Sequence, residues 1–194
     1  MKKLLITGFE PFGGEKINPS WEAVKLLPDE IGDFLLSKIE VPVVFGKTAE
    51  TVIEKASEIN PDAIICVGQA GGRNFVTPEM VAINLRFASI SDNEGNQPKD
   101  IPCIEGCENA LFSTLPVRKM AEAVSAEGIP CSVSYSAGTY VCNDLLYHVL
   151  EHYKNTETKA CFIHVPFIPE QTEDKPSLPL ATIAKALEIA IESI

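Results

Sequence analysis

The sequence contains no long hydrophobic run. Leu4-Leu5-Ile6 follows Met1-Lys2-Lys3 but ends at Thr7-Gly8, far short of a signal-peptide core or a membrane span. This predicts a protein that stays in the cytoplasm where it is made. Positive charge is scarce, with 16 Lys and Arg against 27 Asp and Glu and a formal net charge of -11. The average field therefore repels phosphate backbones and anionic headgroups, and neither nucleic acid nor a membrane surface is an expected partner. There is no internal repeat, and the six cysteines are spaced too irregularly along 194 residues to form a disulfide scaffold. In a reducing compartment each is a free thiol that needs its own reading.

Two near-motifs fail on inspection. Gly8 and Gly13 have the spacing that opens a phosphate loop, but Gly14-Glu15 stands where Lys and Ser or Thr are required. His148-Val149-Leu150-Glu151-His152 matches the pattern of inverted zinc peptidases, with both histidines on one helical face. Two exposed histidines on an amphipathic helix are the plainer account, so no metal and no cofactor are expected. Cys103 and Cys107 lack the spacing of a redox pair or half a zinc site and read as loop thiols.

A chain that is 45% hydrophobic over this length can bury one core, which makes residues 1–194 a single domain. Lys2–Thr7 reads as a buried strand feeding the loop Gly8-Phe9-Glu10-Pro11-Phe12-Gly13-Gly14. Asn18-Pro19 then caps a helix that Pro28 stops. Phe34–Val44, Ala63–Val67, Val76–Leu85, Cys131–Ser134 and Ala160–Val165 read as strands. Thr48–Ile59, Val117–Glu127, Tyr140–Tyr153 and Leu178–Ile194 have helical spacing, and the polar stretch Ser91–Pro98 reads as an excursion near a site. Strand–helix alternation of this kind implies a largely parallel sheet.

Chemistry concentrates where the segment Ser134–Asn143 turns from strand to helix, with Gly138 permitting the turn and Cys142 in the first helical turn. Unpaired N–H groups and the positive end of the helix dipole favour a thiolate there and could hold an oxyanion. A small buried cysteine fits the same position equally well. His164, at the end of the apolar strand Phe162-Ile163-His164-Val165, is a candidate base, although a core histidine bonded to a carbonyl has the same pattern. Glu79 stands among apolar neighbours rather than on a charged face, where a carboxylate needs a partner.

The ordered motifs narrow these alternatives. Thr7–Gly14, Asn18-Pro19-Ser20-Trp21, Cys66–Arg73 with Thr77-Pro78-Glu79 and Val81–Asn84, Ser136–Asn143, and Phe162–Pro166 with Pro169-Glu170-Gln171 resemble, in order and across nearly the whole chain, the motifs of the pyrrolidone-carboxylate (pyroglutamyl) peptidases. Met80 and Ser89 depart from that pattern, where a basic residue and an arginine are usual. The resemblance implies a Cys142, His164, Glu79 triad and N-terminally pyroglutamylated peptides as substrates. It also implies a ring slot between Phe9 and Phe12, with Gln69, Tyr140 and Val141 as further walls and polar contact. Finally, it implies a homo-oligomer, a tetramer, and a three-layer α/β/α sandwich around a central, mostly parallel but mixed, twisted sheet.

Overall fold

The computed structural model describes Met1–Ile194. Its strands are β1 (Lys2–Phe9), β2 (Glu30–Ile31), β3 (Phe34–Val41), β4 (Ala63–Gln69), β5 (Thr77–Glu79), β6 (Val81–Ile83), β7 (Ala110–Phe112) and β8 (Lys159–Val165). The helices are α1 (Pro19–Leu26), α2 (Lys47–Ile59), α3 (Val117–Ala126), α4 (Val141–His152) and α5 (Leu180–Glu192). No helix is long and apolar enough to cross a membrane.

Six strands form one sheet in the order β2-β3-β1-β4-β8-β5, and β6 and β7 form a separate pair. The four central strands β3, β1, β4 and β8 run parallel, and the edge strands β2 and β5 run antiparallel to their neighbours. The central strands are apolar on both faces because both faces are covered. Leu4, Ile6, Ile65, Val67, Ile163 and Val165 pack with α1, α3 and α5. Their alternates Leu5, Ile64, Cys66, Ala160 and Phe162 pack with α2 and α4. This is the expected three-layer sandwich. The chain leaves β1 toward β3 and returns to β4 on β1's other side, so the strand order reverses between β1 and β4. Open α/β sheets bind ligands at the carboxyl ends of strands flanking such a reversal.

Most expected elements are present within a residue or two, and three departures have local causes. The run from Phe34 stops at Val41 because Pro42 cannot donate to a ladder. The single strand expected over Val76–Leu85 breaks at Met80: Thr77–Glu79 pairs with β8, Val81–Ile83 turns away to pair with β7, and Met80 itself bonds to Ser134 and Ser113. Cys131–Ser134 makes only isolated parallel bridges to Val76 and Glu79 rather than a full strand. The short elements β2, β7 and the 3-10 turn Pro169–Gln171 are too brief for periodicity to reveal.

The first helix is fixed against the end of β1. Asn18 Oδ1 accepts from the Ser20 N–H at 3.1 Å and the Ser20 hydroxyl at 2.8 Å, while the Phe9 N–H donates to Ser20 Oγ at 3.0 Å. A Cβ on Gly8 would lie 2.5 Å from Trp21 Cα, against backbone that cannot swing aside. Gly8→Ala is expected to destabilise the fold by about 1–3 kcal/mol through that overlap, read as a lower urea midpoint with an unchanged slope.

Candidate active site

Cys142 lies in the first turn of α4, after an elbow in which Gly138 takes φ 79° and Tyr140 is extended. No side chain caps this helix end, which leaves its first N–H groups available to a ligand. The turn is pinned from the other side. Asn143 accepts from the Ile83 N–H at 2.9 Å and donates to the Ile83 and Leu85 carbonyls at 2.9 and 3.1 Å. The Asp144 carboxylate pairs with Arg86 at 2.6 Å and accepts from the Gly46 N–H at 2.8 Å. The thiol rests over β4: a Cβ on Gly68 would come 3.0 Å from Cys142 Sγ and 2.6 Å from the Phe162 ring.

Strand register brings His164 to the same place, because it pairs directly with Gly68 across the β4–β8 ladder. By alternation it shares the face of Ala160 and Phe162, the face that α4 covers. His164 Nδ1–H donates to Glu79 Oε1 at 2.7 Å, with the histidine 4% exposed and the glutamate 0%. Since a carboxylate only accepts, this bond fixes the tautomer and leaves Nε2 as the free ring nitrogen. Glu79 reaches His164 because β5 lies antiparallel to β8, with Thr77 opposite His164.

A third partner carries no signal in the sequence. Arg73 Nη1 donates to the same Glu79 oxygen at 2.7 Å and also to the Thr77 hydroxyl, while Nη2 donates to the Ser136 carbonyl at 3.1 Å. Arg73 stands in a glycine-rich loop of ordinary composition, and only the pairing of β5 brings it to Glu79.

These contacts set the charge states. Burial works to raise the Glu79 pKa, but the hydrogen bond and charge of His164, with hydrogen bonds from Ser134 and Arg73, outweigh it and hold the carboxyl below its usual range. Burial presses His164 below the ordinary histidine value, against the upward pull of Glu79, and Arg73 lowers it further. Burial, reinforced by the Glu79 charge, pushes the Cys142 thiol up to about 12. Burial thus works against the thiolate that the helix dipole favours, and it disfavours charge on the imidazole as well.

Beside the thiol is a closed-in cavity of about 100 Å³ lined by Phe9, Phe12, Asn18, Val43, Gln69, Tyr140 and Cys142. It is too small for a drug-sized ligand and suits one compact ring. Of the expected binding residues, Phe9, Phe12, Gln69 and Tyr140 line it. Val141 does not, because its side chain is wholly buried in the core under α4. Asn18 and Val43 line the cavity without a sequence signal for it. The capping role of Asn18 accounts for that residue fully, and nothing in a strand end distinguishes a wall such as Val43 from a core residue. A larger hollow of about 500 Å³ between α3 and α5 lies against the opposite layer and is lined by neither cysteine nor histidine.

The polar stretch after Ser91 bonds to the first loop and to Tyr140, which line the cavity. Asn93 Nδ2 donates to Glu10 Oε1 at 2.8 Å and to the Pro11 carbonyl at 3.0 Å, and Glu10 also accepts from the Val43 N–H at 3.1 Å. Asp92 accepts from the Phe45 N–H at 3.0 Å, and the Tyr140 hydroxyl donates to the Ser91 carbonyl at 3.0 Å. Phe12 and Phe45 flank Tyr140, with ring centroids 6.2 and 5.4 Å away.

The competing residues are engaged elsewhere. His148 meets Arg86 at 3.0 Å and Asp144 at 3.3 Å, and His152 stacks on Tyr153. No group of three His, Cys, Asp or Glu side chains converges as a metal site would require. Cys103 is buried near Asn143, and Cys107 sits in the loop where Asn84 bonds. Met80 packs against the core, and Ser89 is exposed with its carbonyl accepting from Gln97.

A thiol at a helix start and a buried imidazole–carboxylate pair thus share one face at the carboxyl edge of a parallel sheet, the side-chain types that thiol nucleophilic chemistry requires. The family described as Pyroglutamyl peptidase matches residues 2–194. A pyrrolidone-carboxylate peptidase of Clostridium perfringens is 53% identical, with 99% of this chain and 92% of that protein covered. One from Enterococcus faecalis is 50% identical, with 98% and 92% covered. The crystal structure of pyroglutamyl peptidase I from Bacillus amyloliquefaciens superposes with a TM-score of 0.96 at 48% identity, covering 100% of this chain and 96% of that one. The chain belongs to the pyroglutamyl peptidase family.

Removing the Arg73 charge should let His164 hold its proton more easily. In Arg73→Met the imidazole titration, followed by NMR, is expected to move upward from its depressed position toward the ordinary histidine pKa of about 6.5. An unmoved or lower titration would mean that Arg73 exerts no field at the ring.

Proposed function

We propose that this chain is a thiol exopeptidase that releases pyroglutamate from the N-terminus of peptides, with Cys142 as nucleophile, His164 as general base and acid, and Glu79 as the carboxylate that orients the ring. The 2.7 Å bond between His164 Nδ1 and Glu79, buried beside the thiol-bearing helix end, carries this reading. A core histidine needs only a carbonyl; a buried ionised carboxylate shared with an arginine is costly unless it supports a charge that forms during reaction.

The flat neutral lactam stacks between Phe9 and Phe12, with Tyr140 closing the slot and Gln69 as its polar contact. The substrate carbonyl then lies over the first turn of α4. His164 Nε2 takes the Cys142 proton as sulfur attacks that carbon, so the nucleophile ionises only in the act of attack. The imidazolium is stabilised by Glu79, and the oxyanion by the helix-end N–H groups. As the C–N bond breaks, His164 returns the proton to the departing amine, leaving a thioester. Water, deprotonated by His164, cleaves the thioester and frees pyroglutamate and the thiol.

The leaving peptide meets no specific contact in this scheme, so the residue after pyroglutamate is broadly tolerated. The family resemblance also points to a cytoplasmic homo-oligomer, a tetramer, for which exposed Phe112, Tyr135 and Ile90 supply apolar surface. Solution mass measurement decides that point.

A chromogenic pyroglutamyl amide tests reaction, substrate and nucleophile together: release should occur and should stop on treatment with iodoacetamide. Cys142→Ser should remain folded while turnover drops about a thousandfold or more, because a hydroxyl is far harder to ionise. Glu79→Gln should lower kcat by about two to four orders of magnitude with little change in KM. Thiol-insensitive release, or near-normal turnover in Cys142→Ser, would reject the scheme.

A further inference from the structure

The 3-10 turn after β8 bears on the cavity through a side chain that does not line it. Gln171 Oε1 accepts from the Ile168 N–H at 3.2 Å, and its Nε2 donates to Gln69 Oε1 at 2.9 Å and approaches the Ile17 carbonyl at 3.4 Å. Both ends of this amide are set by backbone groups whose polarity cannot change: an N–H can only donate, and a C=O can only accept. Gln171 is therefore locked with its NH2 toward Gln69, and Gln69 must present its oxygen in return. That leaves Gln69 Nε2, which has no partner within the chain, as the free end of the amide on a residue that lines the cavity.

The other polar linings are committed. Asn18 Nδ2 donates to the Glu10 carbonyl, its Oδ1 accepts twice from Ser20, and the Tyr140 hydroxyl donates to the Ser91 carbonyl. Gln69 Nε2 is thus the side-chain amide nitrogen among the lining residues with neither hydrogen committed within the chain. A free glutamine could turn either end inward at little cost; this one cannot while Gln171 holds it.

We infer that Gln171 is a positioning residue that fixes the Gln69 amide with its NH2 facing the slot, so that the site reads the lactam carbonyl oxygen of a pyroglutamyl ring. The inference rests on the cavity being the pyroglutamyl slot. It makes recognition of the ring depend on a backbone amide, Ile168 N–H, two side chains removed from the substrate.

Gln171→Glu tests it by inverting the relay. The introduced carboxylate still accepts from Ile168 but can no longer donate, so Gln69 turns its NH2 toward that carboxylate and its oxygen toward the slot, where it opposes the lactam oxygen. Gln171→Leu merely releases Gln69. The measurement is kcat/KM for a chromogenic pyroglutamyl amide and for the matching cyclopentanecarbonyl amide, whose ring has the same shape without the lactam groups. In Gln171→Glu the preference for the lactam should fall about tenfold or more, carried by KM rather than kcat, and in Gln171→Leu it should fall less. A merely structural role would lower both substrates together. An unchanged preference ratio in Gln171→Glu, or in Gln171→Leu if the carboxylate variant does not fold, overturns the inference. Absence of lactam preference in the unmodified protein would instead overturn the underlying reading of the slot.

Discussion

The contact between His164 and Glu79 is the constraint around which the site is arranged. A carboxylate removed from water is several kcal/mol unfavourable unless charge and hydrogen bonds meet it. Here the edge of the sheet is built to supply them. Short β5 lies antiparallel to β8, so that Glu79 crosses to His164; the chain then leaves the sheet at Met80; and the loop before β5 folds Arg73 back onto the same oxygen. Each irregularity at this edge serves that meeting.

The electrostatics give the site a quiet resting state. Glu79 is ionised and balanced by Arg73, while His164 and Cys142 are neutral because burial opposes charge on each. A thiolate stored in advance would be exposed to oxidants and alkylating agents at all times. A neutral thiol becomes nucleophilic only when a base can take its proton and a carbonyl can accept the charge. In the proposed reaction the uncapped end of α4 stabilises the tetrahedral oxygen rather than the sulfur.

Much of this is legible in the sequence. Continuous apolar runs at Leu4–Ile6, Ala63–Val67 and Ala160–Val165 declare doubly covered parallel strands, and Asn18-Pro19 and Gly138 mark a helix start and a turn. Cys142, His164 and Glu79 can each be suspected from an unusual neighbourhood, but none of these neighbourhoods states a distance. What joins them is register, Gly68 opposite His164 and Thr77 opposite His164 in two different ladders. Register between distant segments has no local signature. The same reason hides Arg73 and Gln171, whose importance lies wholly in what they touch. The balance at the thiol is hidden for a different reason: position in the sequence shows the helix dipole but not the burial that opposes it.

The clasp formed by Ser91–Asn96 over the first loop separates two kinds of change the protein can undergo. The imidazole–carboxylate pair is anchored in the sheet, where β5 and β8 hold Glu79 and His164 in a hydrogen-bonded ladder. The slot's outer wall is held by loop on loop, through Asn93 to Glu10 and Pro11 and through Tyr140 to Ser91. Substitutions along the clasp can widen or reshape the slot while the sheet keeps its register. A scaffold divided in this way is open to drift in what it recognises while what it does to the bond stays the same.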